Sequence, residues 1–167
     1  MKIYLDMDGV LADFDKQYET LFGARPKDIV KRSKHFYRNW DAFVFGGNFT
    51  KLQLHPGAIQ LLEAVDSLKL ACETQILSSS GGKRHHECVT IQKLSWLRDK
   101  NIGYYANIVP GSSLKAAYAA PWHILIDDTD YVIDSYRKAG GTAIHHTDVN
   151  STISKLHELH LEWQGAQ

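Results

Sequence analysis

Lys2-Ile3-Tyr4-Leu5-Asp6-Met7-Asp8-Gly9-Val10-Leu11-Ala12-Asp13-Phe14-Asp15 is the stretch on which the fold turns. Its apolar run Ile3, Tyr4, Leu5 stops at Asp6-Met7-Asp8-Gly9, which predicts a short buried strand over residues 2–7 ending in a polar turn. Similar units recur downstream. Glu73 to Ser79 runs into Gly81-Gly82, Asn107 to Val109 stops at Pro110-Gly111, His123 to Ile126 meets Asp127-Asp128, and Thr142 to Ile144 supplies a fifth strand. Between them lie helical patterns at Ala58 to Leu70, Arg84 to Lys100, Tyr131 to Ala139 and Ser151 to Trp163. Strands alternating with helices predict parallel pairing through right-handed crossovers, hence an open five-stranded parallel α/β sheet with helices on both faces.

Residues 15–55 interrupt this alternation. They carry Tyr18, Phe22, Phe36, Tyr37, Trp40, Phe43, Phe45 and Phe49 among Arg25, Lys27, Lys31, Arg32, Lys34 and Arg38, and Pro56-Gly57 marks the return to the core. The expected organisation is one core domain over 1–14 and 56–167 with a small helical cap inserted at 15–55. A chain of 167 residues suits that size.

Composition bounds the function classes. Hydrophobic residues at 44% and charged residues at 23% describe an ordinary globular protein rather than a disordered one. Lys plus Arg equals Asp plus Glu at 19 each, so no global field draws long nucleic acid or an anionic membrane, and any phosphate binding is local. Cys72 and Cys88 lack metal-ligand spacing and are too few for a disulfide scaffold, which points to reduced thiols in cytoplasm. No apolar leader and no run of about 18 apolar residues occurs, so the expectation is a cytoplasmic protein without a membrane anchor. A homodimer stays open.

In open α/β sheets the ligand sits beyond the carboxyl ends of the strands. Those ends are polar here: Asp6 and Asp8 on the first strand, Ser78 and Ser79 on the second, Lys115 after the third, Asp127 and Asp128 on the fourth. Carboxylates from separate strands repel one another unless a cation sits between them, and all-oxygen ligation suits Mg²⁺. Lys115 and the hydroxyl of Ser78 would hold the remaining phosphate oxygens of a substrate, since phosphoryl transfer is mostly positioning and charge neutralisation. Lys83, after the glycines, could also reach a phosphate.

The run Asp6 to Asp15 resembles the first motif of the haloacid dehalogenase superfamily and, more narrowly, that of the 5'(3')-deoxyribonucleotidases. Ile76-Leu77-Ser78-Ser79 is similar to the second motif, Lys115 to the third, and Ile124-Leu125-Ile126-Asp127-Asp128 to the fourth, so the resemblance spans nearly the whole chain. It implies a haloacid-dehalogenase-like, Rossmann-related fold and a phosphatase acting through an aspartyl phosphate. Asp6 would be the nucleophile, and Asp8 the acid that protonates the leaving oxygen and later activates water. Metal ligands implied are the Asp6 carboxylate, the Asp8 main-chain carbonyl and Asp128, with Asp127 orienting a water or Lys115; Ser78, Ser79, Lys115 and Lys83 are the implied phosphate contacts. Phe14 corresponds to an aromatic that stacks on the base, with Phe36, Tyr37 and Trp40 as further candidates in the cap. The family pattern has threonine before serine in the second motif and often arginine after the fourth, where this chain has Ser78 and Thr129. The implied substrate is a small phosphate ester, a nucleoside monophosphate and most plainly a deoxyribonucleotide.

Other readings of the same residues are weaker. An EF-hand loop from Asp6 would need ligands at Val10 and Gln17, and a nucleotide-binding phosphate loop ending at Gly82-Lys83 would need Gly at Leu77 and Ser or Thr at Arg84. His157-Glu158-Leu159-His160 is one residue short of metalloprotease spacing; with His145-His146 and His85-His86, these histidines read as surface or packing residues. Lys93 reads as a solvated helix lysine beside core-facing Trp96 and Leu97. About half of the cap aromatics are expected merely to pack together, by the burial tendency of aromatic rings. Rivals to the nucleotidase are a phosphatase for another small ester or a nucleic-acid end, and a non-catalytic ligand- or protein-binding module on the same fold.

Overall fold

Five parallel strands form the sheet: β1 (Lys2–Leu5), β2 (Glu73–Ser79), β3 (Tyr105–Val109), β4 (His123–Asp127) and β5 (Thr142–His145), in the order β3-β2-β1-β4-β5. The computed structural model describes residues 1–29, 33–69 and 71–167; Lys31 and Arg32 of the expected cap, and the expected helix end at Leu70, lie outside them. Each strand sends alternate side chains to opposite faces. Ile3, Leu5, Ile76, Ile124, Ile126 and Ile144 therefore join one buried cluster, while Tyr4, Leu77, Leu125 and Ala143 join another.

Helices follow the strands as expected: α3 (Ala58–Ser67), α4 (His86–Asp99), α5 (Asp130–Lys138) and α6 (Val149–Gly165). The first cluster takes in Leu61 and Val65 of α3, Val89, Trp96 and Leu97 of α4, and Leu156 of α6. The second takes in Val132, Ile133 and Tyr136 of α5. Most element boundaries shift from expectation by a few residues, and two of the shifts have a visible local cause. β3 begins at Tyr105 because pairing with Gln75 of β2 extends it on this sheet edge, where the Tyr105 side chain is exposed. α6 begins at Val149 because Asp148 caps it, its carboxylate accepting from Ser151 N at 2.9 Å. Among the described residues no helix is long and apolar enough to cross a membrane.

Between β1 and α3 the chain forms α1 (Phe14–Phe22), a 3-10 turn at Pro26–Asp28, α2 (Lys34–Phe45) and a second 3-10 turn at Asn48–Lys51. Asp13 caps α1, Ser33 caps α2, and Gly23 ends α1 in the left-handed conformation. Tyr18, Phe43 and Phe49 are fully buried and belong to the same cluster as the sheet residues, so the insertion shares the main core. Phe14 stacks on Phe49 at 5.7 Å between ring centroids. Two side chains of α4 seal the junction: Gln92 donates to Val44 O at 2.8 Å and accepts from Phe49 N at 3.3 Å, and the Trp96 indole donates to Leu52 O at 2.8 Å.

That indole bond is the anchor for the segment returning from the insertion. Replacing Trp96 by Phe leaves Leu52 O without a donor and opens a small void, for an expected loss of about 2–4 kcal/mol in urea unfolding. A change below about 0.5 kcal/mol would show that the bond is not an anchor.

Candidate active site

β1 lies at the centre of the sheet, and the chain moves outward from it to β2 and β3 on one side and to β4 and β5 on the other. The loops leaving the carboxyl ends of β1 and β4 therefore diverge and leave a crevice. Register sets what faces it. Leu5 pairs with Ile76 and Ile126, and Asp6 N donates to Ile126 O at 3.0 Å, so Asp6 emerges beside Asp127. After Asp6 the chain turns tightly: Met7 O accepts from Val10, Leu11 and Ala12 N–H at 3.2, 2.8 and 2.7 Å. Gly9 holds φ at +75°, and a Cβ there would collide with the Asp128 carboxylate, so both the turn and the approach of Asp128 need glycine.

Two buried ammonium groups organise the carboxylates. Lys115 Nζ, almost fully buried, lies 2.7 Å from Asp6 Oδ2 and 2.6 Å from Asp127 Oδ2. Lys93 Nζ, wholly buried, lies 2.7 Å from Asp8 Oδ2 and donates to Ser78 Oγ at 2.8 Å. Burial alone would push the Asp6 carboxyl up, but the charges of Lys115 and Lys93 and hydrogen bonds from Lys115 and Ser78 hold it below its ordinary range. Asp8 goes the other way. Burial outweighs the attraction of Lys93, the charge of Asp6 adds to it, and the carboxyl sits above its ordinary range. Its Oδ1 has no hydrogen-bond partner among the described residues. Burial disfavours the Lys115 charge, but Asp6 and Asp127 more than offset this and push its pKa above the usual lysine value.

Carboxylate oxygens of Asp6, Asp127 and Asp128 all lie within 4.8 Å of one another. Burial and the Asp6 charge, offset only in part by Lys115 and the Thr129 N–H, push Asp127 up to about 6; burial and the charges of Asp6 and Asp127 push Asp128 up to about 7. Such crowding is relieved by a hard divalent cation, and an all-oxygen donor set fits Mg²⁺. The Asp8 carboxylate stands apart from this set, bound by Lys93, which leaves only its main chain for the ligand role expected of it.

A cleft of about 590 Å³ opens over these groups. Asp6, Asp8, Ser79, Lys115, Asp128 and Phe14 line it, as the sequence leads one to expect. Ser78 sits behind the wall, buried against Lys93, and Asp127 is likewise buried and does not line the cleft, its Oδ1 accepting from Thr129 N at 3.0 Å. Lys83 is not brought to the cleft; it is exposed on the turn after β2. Of the cap aromatics, Trp40 lines the cleft, passing so close to Gly81 that a Cβ there would come within 2.6 Å of the indole. Phe36 and Tyr37 instead pair with each other, and Tyr37 is exposed.

One expectation is corrected. Lys93 is not solvated: it shares the buried face of α4 with Val89, Trp96 and Leu97, and the spacing of three and four residues to Trp96 and Leu97 was the available signal. Of the paired histidines, His85 and His146 are buried packing residues, in keeping with the expectation. His145 and His146 line the cleft with His55, and His85 is buried against Asp41, its Nε2 at 2.8 Å from Oδ1, with Arg84 at 2.8 Å from the other oxygen.

No protein-family model matches the sequence, and no curated protein matches it. The fold, however, is shared with solved structures. One is described as a hydrolase from Streptococcus pneumoniae TIGR4, with 16% identity and a TM-score of 0.55 over 93% of this chain and 97% of that one. Another is a hydrolase from Pseudomonas syringae, with 14% identity and a TM-score of 0.54 over 95% of this chain and 98% of that one. The chain adopts the expected α/β fold, an open five-stranded parallel sheet flanked by helices with a helical segment inserted after β1, and shares it with these two structures.

Lys93→Met strands the partly buried Asp8 carboxylate and is expected to cost about 2–3 kcal/mol in urea unfolding, with most of it recovered in the Lys93→Met/Asp8→Asn double variant. Equal losses in the single and double variants would mean that the pair is not coupled. The raised carboxyls of Asp127 and Asp128 bind protons that the unfolded chain has released, so in chelator the folded state loses stability as pH rises from about 4 through about 7. Thermal melts are expected to show this fall, and added Mg²⁺ is expected to raise the midpoint more at pH 8 than at pH 5.

Proposed function

We propose that this chain is a magnesium-dependent phosphatase that hydrolyses nucleoside monophosphates, deoxyribonucleotides foremost, through an aspartyl phosphate on Asp6. One observation carries the reading: two carboxyl groups two residues apart are driven in opposite directions, Asp6 toward the ionised form and Asp8 toward the protonated one. A nucleophile needs the first state and a general acid the second.

In the reaction an Asp6 oxygen attacks phosphorus while the bond from phosphorus to the ester oxygen breaks. Asp8 gives its proton to that oxygen, which departs as an alcohol. Asp8, now a carboxylate, takes a proton from a water that attacks the acyl phosphate, releasing inorganic phosphate and restoring Asp6. Lys115 keeps Asp6 ionised before attack and faces the cleft, where it balances phosphate charge. Ser79 stands at the cleft wall as the hydroxyl contact, while Ser78 and Lys93 hold the two aspartates from behind. Held by Asp6 and Asp128, with Asp127 beneath, Mg²⁺ would supply the charge neutralisation that lets one anion approach another.

The substrate class rests on the insertion. Residues 15–55 act as the cap, and Phe14 and Trp40 present aromatic surface to the cleft for stacking on a base. A cytoplasmic setting accords with two free thiols at Cys72 and Cys88.

Purified chain is expected to release phosphate from an aryl phosphate only with Mg²⁺, and Asp6→Asn to lower the rate by roughly 10³-fold or more. Activity of Asp6→Asn equal to wild type would remove the nucleophile. A panel of deoxyribo- and ribonucleoside monophosphates with sugar phosphates then reads the substrate class; sugar phosphates turned over best would defeat the nucleotide assignment.

A further inference from the structure

His55 and His146 share the cleft with the aspartates, and their hydrogen bonds fix their tautomers. The Thr152 hydroxyl spends its proton on Asp148 O at 2.8 Å, so its 2.9 Å contact with His146 Nδ1 requires the ring to donate. His55 Nδ1 lies 3.1 Å from Pro56 O, which can only accept. In each neutral ring the proton is therefore on Nδ1, and Nε2 carries a bare lone pair. Neither Nε2 has a partner among the described residues, and neither is among the buried atoms lacking one, so both touch solvent, and both residues line the cleft. The two rings lie 5.9 Å apart at 70°. His146 N donates to Asp127 O at 2.8 Å, which ties this wall to the end of β4. His145 differs, because its Nε2 lies 3.0 Å from Asp128 O and must donate.

We propose that His55 and His146 form a recognition wall that accepts hydrogen bonds at Nε2 from hydroxyl groups on the sugar carrying the transferred phosphate. The assignment rests on the nucleoside monophosphate reading above and adds what that reading lacks, a contact for the part of the substrate between phosphate and base. Bare acceptors select donors: the one hydroxyl of a deoxyribonucleoside 5'-monophosphate donates its proton to one Nε2 and leaves the other to water, whereas a second phosphate would bring its own lone pairs against theirs.

The test compares a 2'-deoxyribonucleoside 5'-monophosphate with its 2',3'-dideoxy counterpart, which lacks the sugar hydroxyl. Wild type is expected to favour the hydroxyl-bearing substrate by about three- to tenfold in kcat/KM, chiefly through KM. His55→Phe with His146→Phe is expected to abolish that preference while leaving the dideoxy substrate and an aryl phosphate within about twofold of wild type. Gln at either position, which retains an acceptor, is expected to restore part of it. Thr152→Val, which removes the partner of His146 Nδ1 with little change of shape, is expected to halve the preference and serves if the double variant does not fold. Equal turnover of the two nucleotides by wild type, a preference that survives in the Phe variants, or faster turnover of a 3',5'-bisphosphate than of the monophosphate would each overturn the assignment. Loss of nucleotide turnover with the aryl phosphate still hydrolysed would overturn the nucleotide reading and this inference with it, whereas loss of all turnover from wild type would remove the phosphatase itself.

Discussion

One ammonium group set between two carboxylates makes the rest of this site feasible. Asp6 and Asp127 emerge side by side because their strands are hydrogen-bonded neighbours, and the sheet gives them no freedom to separate. In that poorly hydrated place two negative charges would expel each other's ionisation. Lys115, almost fully buried and within 2.7 Å of both, lets Asp6 stay charged. Lys93 repeats the device one step away for Asp8, but there burial prevails and the carboxyl keeps its proton more readily. The two carboxyl groups thus differ through their surroundings, not their chemistry.

Much of the frame was legible in the sequence because buried parallel strands announce themselves. Each is a short apolar run, and each ends in a polar or glycine-rich turn. The strand ends then delivered Asp6, Asp8, Ser79, Lys115 and Asp128 to one cleft. The start of β3 is less legible because its first residue, Tyr105, lies on a sheet edge with its ring in solvent, so main-chain pairing rather than burial extends the strand. Lys93 is hard to place from sequence because lysine reads as a solvent residue, although its spacing to Trp96 and Leu97 sets it on their face.

The histidines were illegible for a different reason. What makes His146 chemically defined is Thr152, and what defines His55 is the carbonyl of Pro56; neither relation leaves a mark in residue order that distinguishes it from chance. The same holds for His85, whose partner Asp41 comes from the inserted segment 44 residues earlier. Tertiary closure, not local propensity, creates these pairs. Trp40 belongs with them, since it reaches the cleft only because Gly81, at φ +76°, leaves room for the indole.

The insertion's continuity with the main core bears on how the cleft exchanges its contents. Swinging residues 15–55 away as a rigid body would bring Tyr18, Phe43 and Phe49 into water, at about 1.5–3 kcal/mol for each ring, and would also break the bonds of Gln92 and Trp96 to that segment. Such an opening is sparsely populated. Access to the cleft is therefore through a mouth that this packing already leaves open, with Trp40 and Phe14 among the residues that line it.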